Sequence, residues 1–144
     1  MGIFEPSVNL EKEQKMLEKY NPYDGLTAAV KVSNQNIIIR KTQFRLAQKG
    51  VVIFQGNMDD SDMRIPWDEI KNCGWNDIVV DTATSPGLII NLKKNVTVLV
   101  RFHVKFTTGR FNLIHLIRGV TRIIESNMDN LDKKMYRGNL YGTF

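Results

Sequence analysis

Residues 96–106 constrain this chain more than any other stretch. Val96, Val98, Val100, Phe102, Val104 and Phe106 alternate with Thr97, Leu99, Arg101, His103 and Lys105. A period of two sets one face of a strand on a core and leaves the other largely in water. Just beyond, the period changes. From Arg110 to Ser126, residues Phe111, Leu113, Ile114, Leu116, Ile117, Val120, Ile123 and Ile124 cover a wide face of a helix. Thr107 or Thr108 can cap it, and Arg110, Arg118 and Arg122 fall where they can stay solvated. So broad an apolar face has to be buried, and the open end or side of the preceding sheet is the available place.

Short apolar runs upstream read as strands: Thr27–Val32, Ile37 to Leu46, Val51–Phe54, Met63–Trp67, Ile78–Val80 and Leu88–Leu92. Polar or glycine-containing turns separate them at 33–36, 48–50, 57–62, 85–87 and 93–95. Pro66 favours an edge position for its strand. Strands joined by such short links pair antiparallel, as a meander. Before them, Leu10–Tyr20 reads as a short helix capped by Asn9, with Leu10, Met16, Leu17 and Tyr20 to one side and Asn21-Pro22 as its stop. The expected fold is mainly β (α+β): an antiparallel barrel or sandwich of about seven strands capped by a C-terminal helix. The chain divides into a helical extension (1–24), the domain (25–126) and a basic tail (127–144). With 144 residues it can bury a core without cross-links.

The residues of reaction chemistry are sparse. Cys73 is the single cysteine, so no internal disulfide forms, and it reads as a small, partly buried residue. Asn57, Asp59, Ser61 and Asp68 fall at calcium-loop spacing, but Asp62 stands where the loop needs glycine and Asp68 where it needs a bidentate glutamate. His103 and His115 have no cysteine or carboxylate cluster at metal spacing. Neither a glycine-rich phosphate loop nor a serine elbow occurs. The expectation is a protein that binds rather than catalyses, with no metal or cofactor. No signal peptide or membrane span is expected either.

The net charge of +5 admits an anionic partner. The candidate binding residues are Lys31, Arg40 and Lys41 on the first two strands, Arg118 and Arg122 on the closing helix, and Lys133, Lys134 and Arg137 in the tail. Tyr136, Tyr141 and Phe144 interleave with the last group. Basic residues with aromatics suit nucleic acid, and they equally suit docking on a protein, where aromatics and arginine act as anchors.

Four segments occur in an informative order: Asn36-Ile37-Ile38-Ile39-Arg40-Lys41, Arg64-Ile65-Pro66-Trp67-Asp68-Glu69-Ile70, Gly87-Leu88-Ile89-Ile90, and the helix from Arg110. A basic strand, an Ile-Pro-aromatic step, a glycine-led strand and a final helix together resemble the short bacterial pleckstrin-homology domains and the related GRAM domains, over about residues 25–126. The resemblance implies a pleckstrin-homology-like fold that binds lipids, peptides or proteins and rarely catalyses. Lipid-binding members end their basic motif in basic-x-Arg; here residue 42 is Thr, and residues 33–36 carry no positive charge. The resemblance thus points to a cytoplasmic module for protein binding or self-association, with an anionic membrane or nucleic acid as the alternative. A small-molecule barrel or an enzyme of another kind is the third reading.

Overall fold

The computed structural model describes residues 5–20, 26–33, 38–54, 62–104 and 109–129. Helix α1 (Leu10–Tyr20) precedes strands β1 (Leu26–Val32), β2 (Ile38–Leu46), β3 (Gly50–Phe54) and β4 (Met63–Pro66). A single 3-10 turn, Trp67–Glu69, leads into β5 (Ile70–Val80), β6 (Ala83–Leu92) and β7 (Thr97–Phe102), and helix α2 (Arg110–Asp129) follows. The seven strands form one antiparallel sheet in the order β4-β3-β2-β1-β7-β6-β5, curled into a half-barrel. The architecture is the expected one: mainly β, capped by the C-terminal helix, and consistent with a pleckstrin-homology-like barrel.

The alternation read in β7 holds. Val98, Val100 and Phe102 are buried, and Thr97, Leu99 and Arg101 are less so. The inner face of the sheet is lined by Val30, Phe44, Ile53, Ile65, Leu88, Ile90 and Val100, all nearly inaccessible. Phe44 and Phe102 meet edge to face at 5.3 Å, which suits the opposed charge of ring face and edge.

The two ends of the sheet, β4 and β5, do not pair. They are joined through the 3-10 turn, and Trp67 fills that seam with 2% of its surface exposed. Its indole N–H donates to the Gln48 carbonyl at 2.8 Å, and its backbone N–H donates to the Lys49 carbonyl at 3.1 Å. The turn is thereby tied to the β2–β3 hairpin, while the Lys93 N–H donates to the Glu69 carbonyl and ties it to the end of β6. A buried indole needs such a partner for its N–H.

Three expectations change. Residues 85–87 are not a turn; they lie inside β6, and the chain reverses at Asp81 and Thr82, with Asp81 at φ 62°. Pro86 is tolerated because the ladder from β6 to β7 begins only at Leu88, so no partner there lacks its N–H. Beside it, a Cβ at Gly87 would sit 2.1 Å from Ile78 Cδ1. This glycine leaves room for Ile78, and the β5–β6 hairpin folds back so that Ile78 and Val80 bury with Ala29 on the outer side of the sheet.

The second change concerns α1, which is no appendage. Met16 and Leu17 belong to the main core and Glu13 is buried, all against α2, although Leu10 is exposed. At the contact, a Cβ on Gly119 would lie 3.1 Å from the Glu13 carbonyl oxygen, so the helices approach closely because that side chain is missing. Asn9 caps α1 as read: the Lys12 N–H donates to Asn9 Oδ1 at 3.0 Å. Third, α2 runs past Ser126 to Asp129, and Asn127 is fully buried, its Nδ2 donating to the Ile123 carbonyl at 2.8 Å. The rest of the basic tail, the caps at 107 and 108, and the calcium-spaced residues 57, 59 and 61 lie outside the described residues.

Replacing Trp67 tests the seam. Trp67→Phe should destabilise the fold by about 1–3 kcal/mol through the lost hydrogen bond and volume, and Trp67→Ala by about 3–5 kcal/mol, as read from urea unfolding.

Candidate functional site

The basic residues singled out in the sequence fall into two groups, on α2 and on the sheet. On α2, Arg118 and Arg122 are engaged inside the molecule. Arg118 is 13% exposed; its Nη2 donates to Glu5 Oε1 at 2.5 Å and its Nη1 to the Pro6 carbonyl at 2.8 Å. Arg122 Nε donates to Glu13 Oε1 at 2.5 Å, and Nη2 reaches Glu13 Oε2 at 3.3 Å. Glu13 is 2% exposed at its side chain, whereas Arg122 is 44% exposed. Burying that carboxylate would be costly without its partner. The two arginines clasp the N-terminal segment onto α2, Arg118 largely buried and Arg122 still partly open to solvent. Arg110 is engaged as well: both its terminal nitrogens donate to the Asp77 carboxylate, at 2.7 and 3.0 Å. That pairing lowers the Asp77 pKa, chiefly by hydrogen bonding.

On the sheet, the lysines are exposed. Lys31 and Lys41 are exposed on β1 and β2, between buried neighbours Val30, Val32 and Thr42. Arg40 belongs to β2, but its side chain lies outside the described residues, as do Lys133, Lys134 and Arg137. The structure adds three residues the sequence reading passed over. Arg45 on β2, Arg64 on β4 and Arg101 on β7 each alternate with core residues: Phe44 and Leu46, Ile65, and Val100 and Phe102 respectively. Their phase along the strand was the available signal, since it puts them all on the face away from the core.

The registers assemble these side chains into rows. Val52 pairs with Arg45 on one side and Arg64 on the other, so the two arginines flank it about 10 Å apart, two strand spacings. The Arg45 guanidinium lies 4.4 Å from the centre of the Phe54 ring, which holds it by a cation–π contact. Arg101 pairs with Ala29, across β1 from the Lys41 end of β2, and Lys31 pairs with Leu99. The apolar cluster of Ala29, Ile78 and Val80 is formed with the β5–β6 hairpin, which supplies Ile78 and Val80 and whose tip carries Asp81. Among the seven strands Asp77 is the one carboxylate.

The remaining candidates are quiet. Burial pushes the Cys73 thiol up to about 12, helped by Glu125, so it stays protonated at neutral pH. Among the described residues no group of His, Cys, Asp and Glu is placed to hold a metal ion, and no helix is long and apolar enough to cross a membrane. No family model, no curated protein and no solved structure matches the chain.

His115 is not a surface residue. It is 4% exposed, on the side of α2 that meets α1, and its Nδ1 has no hydrogen-bond partner. Burial lowers its pKa below the usual 6.5; Lys12 and Arg118 add to the shift and Glu13 opposes it. A group depressed in the folded state holds fewer protons there than in the unfolded chain. Its contribution is therefore complete above pH 6.5 and is lost as pH falls through the lower folded value. The thermal midpoint should drop between pH 7 and pH 5, and His115→Leu should flatten that drop.

Proposed function

We propose that this chain is a non-catalytic binding module of the pleckstrin-homology-like kind, which docks an acidic segment of a protein partner on the outer face of its sheet. One observation carries the reading: Lys31 and Lys41 are exposed on that face with Arg101 half-buried beside them, while the only carboxylate in the seven strands, Asp77, is already bonded to Arg110. Exposed cationic side chains draw and orient an oppositely charged partner.

The arrangement favours a protein over a lipid headgroup. The charge is spread along rows, interrupted by Val52 and Leu99, and is not gathered around the β1–β2 connection, whose residues 33–37 carry none. A phosphate clamp needs convergent donors, whereas an extended acidic segment can meet separated ones. The Arg45–Phe54 contact also occupies the aromatic face that a nucleic-acid base would need for stacking.

Fluorescence anisotropy of a labelled glutamate-rich peptide, titrated from low to physiological salt, tests the proposal. Binding should weaken with salt, and Lys31→Glu with Lys41→Glu should weaken it by about tenfold at low salt. Phosphatidylserine vesicles and a single-stranded oligonucleotide run in parallel. Preference for either of those would replace the partner class, and binding to none of the three at low salt would remove the function.

A further inference from the structure

We propose that β5 pairs with β5 of a second copy of this chain, antiparallel about a two-fold axis at Gly74. The surface is distinct from the basic face and does not depend on it. Among the described residues β5 is hydrogen-bonded to a neighbouring strand on one side only, that of β6, and it is the longest strand at 11 residues. The opposite end of the sheet is a poor alternative, because β4 has four residues and finishes in Pro66.

An unpaired edge of this length is a template for another strand. The amide directions on β5 define which residues face that edge. The Asp77 backbone N–H donates to the side-chain oxygen of its own neighbour Asn76, at 2.8 Å, in place of a strand. Odd-numbered residues therefore turn their backbone groups outward along this part of β5.

The order of side chains then selects the occupant. Centred on Gly74, the sequence Lys71-Asn72-Cys73-Gly74-Trp75-Asn76-Asp77 is complementary to itself. Antiparallel pairing sets Lys71 opposite Asp77 of the second copy, Asn72 opposite Asn76, and Cys73 opposite Trp75. The paired odd residues are those with outward amides, so the ladder can form. The bulge between Ile70 and Asn72 bounds it at Lys71. At the axis, nothing lies within 4 Å of where a Gly74 side chain would begin, so the sheet face is open there. Lys71 is exposed, and the Asp77 carboxylate, although bonded to Arg110, is 44% exposed and has lone pairs left for a second cation. Two charge pairs related by the axis, one at each end, are what an isologous contact requires.

Sedimentation velocity of the full chain over a range of concentration should show a monomer–dimer equilibrium. Lys71→Glu places like charges opposite each other twice and should weaken the dimer by about tenfold. A second variant fixes the register: with Asn72→Cys and Asn76→Cys together, mild oxidation should give a covalent dimer, since these residues face each other across the axis and are too far apart to join within one chain. The protonated, half-buried Cys73 does not compete. A strict monomer at all concentrations overturns the proposal. So does a dimer that ignores Lys71→Glu and does not cross-link.

Discussion

The burial of α2 on two sides is the constraint on which the rest of the structure depends. A curled sheet of seven strands leaves one side of its core open, and α2 fills it with Leu113, Leu116, Ile117, Val120 and Ile124. A helix on the surface of a domain would end its burial there. Here His115, Gly119 and Asn127 are buried too, and α1 covers the far side. α2, packed on β5, β6 and the 3-10 turn at Trp67, thus covers the core that the strands alone leave open.

This packing decides where charge is available. Arginines on α2 lie against α1 and the segment before it, so they are drawn into Glu5 and Glu13. On the outer side of the sheet Ala29 and Val52 are buried, while Lys31 and Lys41 are exposed. The same net charge that seemed to belong to a basic C-terminal end is, for the described residues, expressed on the sheet. Pairing the helical arginines internally leaves a more localised field than the composition suggests.

Much of the fold was legible because strands and helices differ in period. The alternation from Val96 and the change of period at Arg110 specified β7 and α2, and Asn9 with Asn21-Pro22 bounded α1. The misreadings share a cause: local signals met tertiary context. Ser85-Pro86-Gly87 carries turn residues, yet the folding back of Ile78 over Gly87 makes it part of a strand. Glu13 sits in the first turn of α1, where an exposed acid is ordinary, and only the partner helix buries it. The site was half legible. Lys31 and Lys41 were found from the charge of their strands, but Arg45, Arg64 and Arg101 needed the knowledge of which face holds the core.

Native-state hydrogen exchange followed residue by residue tests the two-sided burial of α2 most directly. If α1 is part of the same packed unit, the amides of Met16 and Leu17 should open with free energies within about 1 kcal/mol of those of Ile117 and Val120. Exchange of the α1 amides through a separate opening of much lower free energy, with α2 still fully protected, would contradict the account.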